Sequence, residues 1–312
     1  MRYGNAVEIR EKEKGMKVLN FGSLNVDYVY SVDHIVKGGE TISSSKVETF
    51  SGGKGLNQSI ALAKAGAPVY HAGLIGEEGD FLLDACRENG VDTAYIRKLP
   101  AKGGHTIIQV DANGQNCIIL YGGTNQMITK EFVDEVLADF ETGDYLVLQN
   151  EINELPYMID RAYERGMKIV LNPSPFDSKL DACDLTKIHL FMINEIEGEQ
   201  ITGYSDKDEI LAELEKKFPD AAFVLTLGSD GAVYYDGKEK VFQGIFKVKA
   251  VDTTAAGDTF SGFFLAKIIE GASVADALRT AAKASSIAVS RPGAAPSIPT
   301  MEEVMQGLAE EA

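Results

Sequence analysis

The second half of the chain alternates short apolar runs with amphipathic segments. Between residues 144 and 228, four apolar runs have the length of buried strands, and segments with helical spacing lie between and after them. The strand-like runs are DYLVLQ, KIVLN, HLFMIN and AFVLTLG, and the helical segments include EIEGEQIT and DEILAELEKKF. Strands that alternate with helices predict a largely parallel sheet with helices on both faces. We therefore expect an α/β fold.

The first half of the chain is typical of a smaller sheet. The run VLNFGSLNV predicts a buried strand, and the extended segments YVYSV and KVETF follow it, separated by a turn at Gly38-Gly39. The stretch HTIIQVDANGQNCIILY predicts a β-hairpin in which Asn113-Gly114 supplies the positive φ angles of a tight turn. No internal repeat or linker divides the chain, so we expect one large α/β body with a small β insertion.

Composition and charge limit the classes of partner. The 312 residues have a formal net charge of −17, which argues against nucleic acid or an anionic membrane, because both select basic patches. No uncharged apolar run has membrane-spanning length, and the three cysteines form no CxxC pair. Residues 1–15 precede the first strand-like run and are predicted to be an N-terminal extension. Together these features predict a cytoplasmic protein.

Two loops in the first half are expected near a ligand, because ligands of such sheets bind at the carboxyl ends of strands. In GSLNVD, strand alternation places Asn25 and Asp27 on one face, where they can bind a polyhydroxylated ligand. From these residues alone, a strand-end turn with local hydrogen bonds is the better interpretation. In SGGKG, the glycines permit close approach of a ligand and Lys54 adds a charge, but a simple tight turn explains the pattern equally well.

The third loop, DTTAAGD at residues 252–258, combines very small residues with a carboxylate at the start of an apolar helix. Small side chains allow consecutive amides at the helix start to converge on an anion. An acidic residue in the first turn of a helix is also an ordinary partner for the helix dipole. That explanation accounts for Asp258 but not for the whole run, so an anion-binding turn with a base beside it is the better hypothesis.

The three motifs together resemble the PfkB carbohydrate kinases and, within that family, most closely the ribokinases. The resemblance covers almost the whole chain after Met16. Further matching segments are GGET (38–41), GGTN (122–125), Gln149 to Glu151, NEIE (194–197), TLGSDGA (226–232) and SRPGAAPSIP (290–299). The resemblance implies a ribokinase-like three-layer sandwich as a single domain, residues 16–312. A small β-sheet lid would be formed by about residues 28–50 and 103–122.

The resemblance also implies a reaction. ATP would donate its γ-phosphoryl group to a primary hydroxyl of a small sugar, with D-ribose as the first choice and D-ribose 5-phosphate as the product. Asp258 would be the general base that takes the hydroxyl proton. The amides of residues 255–258, from Ala255, Ala256 and Gly257 to Asp258 itself, would stabilise the charge on the phosphoryl oxygens.

Binding residues follow from the same resemblance. Sugar hydroxyls would be bound by Asn25, Asp27, Gly53, Lys54, Asn57 and Glu151, with Asp258. The nucleotide would be bound by Asn194, Thr226, Gly228, Ser229, Gly231, Ala284 and Ser285, with Mg²⁺ near Glu197. A monovalent cation, usually K⁺, would be bound by Asp252, Ser297 and the backbone carbonyls of Thr254, Ala288, Arg291 and Gly293. Without the other motifs, Asn194 and Glu197 are better explained as a helix cap and a solvated glutamate.

The β pieces would form a lid that excludes water from the sugar, and the lids of two subunits would pair in a homodimer. Two positions depart from the pattern usual in ribokinases, which have apolar residues where Thr106 and Gln109 stand. Either the added polarity alters which sugar hydroxyls are recognised, or Gln109 faces solvent.

The same residues are compatible with other functions. A fructokinase, a nucleoside kinase or another sugar kinase has the same catalytic core, and the aromatic residues Tyr28, Tyr30, Phe50 and Tyr121 are compatible with stacking on a nucleoside base. A catalytically silent sugar- or nucleotide-binding regulator has the same fold, because fold does not determine function. The intact DTTAAGD run argues against the regulator. A Rossmann-type dehydrogenase is disfavoured because no GxGxxG fingerprint is present.

Overall fold

The fold is built on a central sheet of nine strands and a separate sheet of four. The computed structural model describes residues 15–311, so the predicted extension lies outside the described residues except for Gly15. In chain order the strands are β1 (Val18–Phe21), β2 (Asn25–Ser31), β3 (Lys46–Gly52), β4 (Val69–Ile75), β5 (Asp92–Lys98), β6 (Gly104–Val110), β7 (Asn116–Tyr121), β8 (Tyr145–Gln149), β9 (Lys168–Asn172), β10 (Leu190–Asn194), β11 (Ala222–Thr226), β12 (Ala232–Tyr235) and β13 (Lys240–Gln243).

The central sheet has the order β13-β12-β11-β10-β9-β8-β1-β4-β5. The strands from β11 to β5 run parallel, and β12 and β13 extend the sheet antiparallel. The helices are α1 (Lys54–Lys64), α2 (Asp80–Glu88), α3 (Lys130–Leu137), α4 (Leu155–Glu164), α5 (Glu195–Thr202), α6 (Lys207–Lys217), α7 (Ala256–Glu270), α8 (Val274–Val289) and α9 (Met301–Ala309).

Helices cover both faces of the central sheet. One buried cluster joins the sheet to α1, α2, α7, α8 and α9, and the other joins it to α3, α4 and α6. Alternation along β1 produces this division, because Val18 belongs to the first cluster and Leu19 and Phe21 to the second. The predicted three-layer α/β sandwich is confirmed.

The four-stranded sheet has the order β3-β2-β6-β7, with β2 and β6 parallel and the outer pairs antiparallel. Its strands agree with the predicted lid segments, although β2 begins at Asn25, earlier than predicted. The run VLNFGSLNV is not one strand: β1 ends at Phe21 and joins the central sheet, whereas β2 begins the small sheet. The chain changes sheets at Gly22, where a Cβ would lie 2.6 Å from the Cα of Gly55 in α1.

The hairpin between β6 and β7 is present, but its predicted turn is wrong in detail. Five residues connect the strands, and of Asn113 and Gly114 only Gly114 has a positive φ, of 78°. The reason is the side chain of Asp111, which accepts hydrogen bonds from the amides of Asn113 and Gln115 at 2.8 and 2.9 Å. This local pairing closes a longer loop and leaves a single left-handed position.

Helices α1 and α7 pack against each other at very short range. A Cβ on Gly262 of α7 would lie 2.4 Å from the Cβ of Ala61 and 2.8 Å from the amide nitrogen of Leu62. Only glycine permits this approach, because real Cβ atoms do not come so close to other heavy atoms. The contact brings the N-terminal ends of the two helices together. Within residues 15–311, no helix is long and apolar enough to cross a membrane.

Replacing Gly262 by alanine therefore tests the helix contact. Overpacking is expected to lower the free energy of unfolding by about 1–3 kcal/mol, although alanine has the higher helix propensity. Gly307→Ala in α9 is the matched control, because a Cβ there meets only the flexible side chain of Lys283. Urea unfolding measures both variants. Equal stability of Gly262→Ala and the unsubstituted protein would contradict the close packing.

Candidate active site

The first turn of α7 presents free backbone amides beside a buried carboxylate. Ala255 caps the helix in the left-handed conformation, with φ 61°, which is unusual for a residue other than glycine. The amide of Ala256 donates to Thr253 O at 3.2 Å. The amides of Gly257 and Asp258 donate to no protein acceptor in the described part of the chain, and the side chain of Asp258 is buried. This arrangement suits an anion beside a base.

A cavity of about 230 Å³ lies in front of this turn. It brings together residues from the start of α1, the end of β10, the start of α5 and the first turn of α7. Its lining includes Lys54, Asn194, Glu197, Thr226, Ala255, Gly257 and Asp258. Motifs that are 200 residues apart in the sequence thus meet in one cavity, at the carboxyl ends of the parallel strands.

Asp258 is held by two side-chain amides of α1. Asn57 Nδ2 donates to Asp258 Oδ2 at 3.1 Å, and Gln58 Nε2 donates to Asp258 Oδ1 at 3.0 Å. The other polar atom of Asn57, Oδ1, is buried without a hydrogen-bond partner in the described residues. A buried unsatisfied acceptor is costly. It is an atom to which a ligand hydroxyl can donate.

Glu151 and Lys54 form a charged pair next to Asp258. Glu151 Oε2 accepts from the Ser23 hydroxyl and from the Lys54 amide, the latter at 3.0 Å. Burial lowers the pKa of Lys54, but the nearby carboxylates of Asp258, Glu151 and Glu197 outweigh it, so its pKa is raised. Burial raises the pKa of Glu151, which Lys54 offsets only in part. The ammonium of Lys54 thus interacts with the carboxylates of Asp258, Glu151 and Glu197 and offsets only part of their negative charge.

Asn25 and Asp27 lie on the same face of β2, as alternation predicts. Asn25 Oδ1 accepts from Asn125 Nδ2 at 2.7 Å, and Asp27 Oδ1 accepts from Thr106 Oγ1 at 2.5 Å. Burial raises the pKa of Asp27 to about 6; the hydrogen bond from Thr106 opposes this shift and the charge of Glu151 adds to it. The carboxylate lies against Gly52, where a Cβ would be 1.9 Å from Oδ2.

The two polar positions of the lid differ in their surroundings. Thr106 is the register partner of Asp27 and lies on its face of the sheet, whereas Gln109 pairs with Tyr30 and lies on the opposite face. The side chain of Gln109 accepts from the Val36 amide at 2.9 Å. Only Thr106 is therefore close to the predicted sugar-binding residues.

Asn194 and Glu197 form a complete capping box at the start of α5. Asn194 Oδ1 accepts from the Glu197 amide at 2.9 Å, and Glu197 Oε2 accepts from the Asn194 amide at 3.0 Å. Glu197 is only 5% exposed, so it is not a solvated glutamate. Its second oxygen, Oε1, has no hydrogen bond to the described residues. A carboxylate oxygen that faces a polar cavity suits Mg²⁺.

A larger cavity of about 770 Å³ adjoins the first and shares Thr226, Thr253 and Gly257 with it. Gly228, Ser229, Gly231 and Ser285 line it, as predicted for the nucleotide site. Ala284 does not line it, because this side chain is fully buried in the core on another face of α8. The lining also includes the apolar side chains Ile245, Phe246, Val248, Phe260 and Val289 and the charged Lys247. The volume and polarity suit a nucleotide.

The segment predicted to bind a monovalent cation is assembled around Asp252. Its two carboxylate oxygens accept from the amides of Thr254 and Gly293, each at 2.9 Å. Burial raises the pKa of Asp252, but these hydrogen bonds outweigh it and lower the pKa overall. The backbone amide of Arg291 donates to Ala288 O, and the Arg291 guanidinium pairs with Glu303. The side chain of Ser297 is buried. The oxygen-only donor set fits a hard cation.

Sequence reasoning missed several residues that hold the site together. Gln58 follows Asn57 directly and contacts Asp258, yet it was not assigned a role. Asn125 lies in the matching segment GGTN and fixes the side chain of Asn25. Ser23 lies in GSLNVD and donates to Glu151. All three are polar residues buried within or beside a motif, and a single sequence does not show that they are buried.

Comparisons with known proteins identify the family of this chain. A model of the pfkB family of carbohydrate kinases matches residues 16–301. The ribokinase of Haemophilus influenzae is 35% identical over 297 residues, which cover 92% of this chain and 96% of that protein. A deoxyribokinase of Salmonella typhimurium is 29% identical, over 92% and 97% of the two chains. The structure of Arabidopsis thaliana ribokinase complexed with ribose and ATP matches with a TM-score of 0.82 at 29% identity, over 94% and 98%.

The family model spans most of the chain, and these relatives match over almost their whole length. The resemblance predicted from the motifs is confirmed. This chain belongs to the pfkB family of carbohydrate kinases.

Proposed function

We propose that this protein is an ATP-dependent sugar kinase that phosphorylates the primary hydroxyl of D-ribose to give D-ribose 5-phosphate. The main support is the position of Asp258. Its buried carboxylate lies at the first turn of α7, beside free amides, and lines the cavity that adjoins the nucleotide-sized one. A base beside an anion-binding turn is the core that phosphoryl transfer requires.

In the proposed reaction, the sugar hydroxyl oxygen attacks the γ-phosphorus of ATP. An oxygen–phosphorus bond forms, the bond from the γ-phosphorus to the bridging oxygen breaks, and ADP leaves. Asp258 accepts the hydroxyl proton, as a general base must. Backbone amides of the turn stabilise negative charge on the phosphoryl oxygens; the turn comprises Ala255, Ala256, Gly257 and Asp258. The amides of Gly257 and Asp258 have no protein acceptor in the described residues and are free to do so.

The sugar would lie between the lid and the start of α1. Asn25, Asp27, Gly53, Lys54, Asn57 and Glu151 would bind its hydroxyls. The unsatisfied Oδ1 of Asn57 supports this placement, because a hydroxyl can donate to it. Thr106 would act with Asp27. Asn194, Thr226, Gly228, Ser229, Gly231 and Ser285 would bind the nucleotide; Ala284 would support Ser285 from within α8.

Two ions are part of the proposal. Mg²⁺ would be held near Glu197 and would offset the charge of the phosphates when bound. K⁺ would be held by Asp252, Thr254, Ala288, Arg291, Gly293 and Ser297, and would lie beside the anion-binding turn. We also propose that residues 16–312 act as one domain with its lid. A cytoplasmic location stays a prediction, supported by three unpaired cysteines.

The first prediction concerns Asp258. Asp258→Ala is expected to lower kcat on the order of 10²- to 10⁴-fold while most of the sugar and ATP binding remains, because only the base is lost. Asp258→Asn keeps the shape and is the matched variant. ATP consumption is measured with Mg²⁺ and K⁺ against ribose, 2-deoxyribose, fructose and nucleosides.

The same panel distinguishes the alternatives. Turnover with 2-deoxyribose in place of ribose would favour the activity that one relative's name describes, and turnover with fructose or a nucleoside would keep the mechanism and change the substrate. Tight sugar binding without turnover in the unsubstituted protein would favour the silent regulator.

The second prediction concerns the pH dependence of sugar binding. Burial raises the pKa of Asp27 to about 6; the ionised carboxylate accepts through both oxygens, whereas protonation turns one oxygen into a donor and weakens its hold on sugar hydroxyls. KM for the sugar is therefore expected to rise about tenfold as the pH falls from 7 to 5, whereas KM for ATP changes little. Initial rates at varied sugar concentration measure this dependence.

Thr106→Val supplies a matched test. The hydrogen bond from Thr106 lowers the pKa of Asp27, so its loss should move the rise in KM to higher pH. Asp27→Asn should abolish the rise between pH 7 and 5. A sugar KM in the unsubstituted protein that is flat over this range would contradict the assignment of Asp27.

The third prediction concerns the edge of the lid. All six residues of β7 are exposed, and Ile118 and Ile119 are 55% and 59% exposed on opposite faces of an edge strand. Long apolar edges are normally covered. We propose that a second copy of the chain covers this one in a homodimer.

The double variant Ile118→Lys/Ile119→Lys is expected to be monomeric by light scattering and to have a raised sugar KM, because the lid loses its partner. Met305→Lys is the control, since Met305 is similarly exposed on α9, outside the lid. A monomeric unsubstituted protein at micromolar concentration would refute the homodimer without affecting the reaction.

A further inference from the structure

A row of buried polar side chains lies in the core near Asp258. The neighbouring strands β1, β4 and β8 place Asn20, His71 and Gln149 on the face of the sheet that α1 covers, among apolar residues of the same strands. All three side chains are at most 1% exposed. Burying polar groups costs free energy unless they are hydrogen-bonded, so their partners show what the row does.

Three consecutive side-chain amides connect this row to Asp258. Gln149 Nε2 donates to Asn20 Oδ1 at 3.0 Å and to Gln58 Oε1 at 2.7 Å. Gln58 Nε2 then donates to Asp258 Oδ1 at 3.0 Å. We call Asn20, Gln149 and Gln58 the amide network.

The orientation of every amide in the network follows from one backbone carbonyl. Gly55 O can only accept a hydrogen bond, and Asn20 Nδ2 donates to it at 2.8 Å. Asn20 must therefore present Oδ1 to Gln149, which must present Nε2 in return. Gln58 then accepts through Oε1 and has only Nε2 left for Asp258. A reversed Gln58 would set its carbonyl oxygen against a carboxylate oxygen, with no proton between them.

A side branch of the network ends at a second carbonyl. Asn20 Nδ2 also donates to Ser59 Oγ at 2.8 Å, and Ser59 Oγ lies 2.7 Å from His71 Nδ1. Gly22 O can only accept, so the proton of the neutral ring is on Nε2 and Nδ1 accepts from the Ser59 hydroxyl. His71 Nε2 then donates to Gly22 O at 3.2 Å. This pattern requires the neutral imidazole, in agreement with burial, which lowers the pKa of His71 to about 4. The branch is not needed to orient Gln58, because Gly55 O already fixes Asn20.

We propose that Gln58 is a positioning residue for phosphoryl transfer and that Gln149 and Asn20 hold its amide in the orientation that donates to Asp258. This inference rests on the proposed function, in which Asp258 is the base. The hydrogen bond fixes the carboxylate beside the anion-binding turn, so the atom that accepts the proton is held in place. The charged groups near Asp258 are Lys54 of α1 and Glu151 after β8, and Glu197 of α5 acts on Lys54.

Gln58→Met is the direct test, because methionine has a similar shape and no donor. We expect kcat to fall about ten- to a hundredfold, the loss typical of one hydrogen bond to a charged group. KM for sugar and ATP should stay within about twofold, because Gln58 is buried and lines neither of the two cavities. A fall in kcat at nearly unchanged KM is the result that a merely structural role would not give. Gln149→Met removes the side chain that orients Gln58 but leaves the hydrogen bond from Gln58 to Asp258 possible, so kcat should fall by less.

Two further variants keep the test decisive. Ser59→Ala is the matched control: it is equally buried on α1 and loses only the side branch, so kcat should stay within about twofold. Gln58→Glu preserves size if the methionine variant does not fold. Its carboxylate has no N–H to donate to Asp258, so kcat should fall at least as far as in Gln58→Met, again with little change in KM.

The outcomes distinguish a failure of this inference from a failure of the proposed function. An unchanged kcat in Gln58→Met would overturn the inference, as would an equal loss of kcat in Ser59→Ala, since the network would then be only structural. Absence of sugar-dependent ATP consumption in the unsubstituted protein would overturn the proposed function and the inference together. Thermal melting of each variant confirms that folded proteins are compared.

Discussion

The close approach of α1 and α7 at Gly262 is the constraint on which the site depends. It places the first turn of α7 beside the first turn of α1, so that Asp258 reaches Asn57 and Gln58. The same helix α1 lies equally close to the sheet, where a Cβ on Gly55 would be 2.3 Å from the Ser23 amide nitrogen. A layer of small residues thus packs backbone against backbone from the sheet to α7. Bulkier residues would separate groups that act together.

This packing concentrates negative charge. Glu151, Glu197 and Asp258 act on the single ammonium of Lys54, in a chain whose formal net charge is −17. An anionic substrate therefore depends on other sources of positive potential. The N-terminal ends of α5 and α7 face the same cavity, and their first-turn amides provide that potential without adding a titratable group. The left-handed conformation of Ala255 costs free energy because its own Cβ approaches the following carbonyl oxygen, and strain of this kind is concentrated at functional sites.

Periodicity predicted the central sheet well, because parallel strands buried on both faces are continuous apolar runs. It failed at VLNFGSLNV, since both halves of that run are apolar and only the contact between Gly22 and Gly55 ends the first strand. Motif reasoning selected Asp258, Lys54 and Glu197, which the fold brings to one cavity. Their mutual distances depend on contacts between residues about 200 positions apart, which no local pattern contains.

The amide network shows what kind of signal a single sequence does hold. Asn20 and Gln149 interrupt strands that are otherwise apolar, and a polar residue at such a position must find a partner or destabilise the fold. The partner cannot be identified from spacing, because Asn20 and Gln149 meet only through parallel pairing of β1 with β8. Once that pairing exists, a fixed backbone carbonyl determines the orientation of three side chains in turn. A polar interruption of a central strand is therefore evidence for a directed hydrogen-bond chain, and its end, here Asp258, marks the group that the core is built to hold.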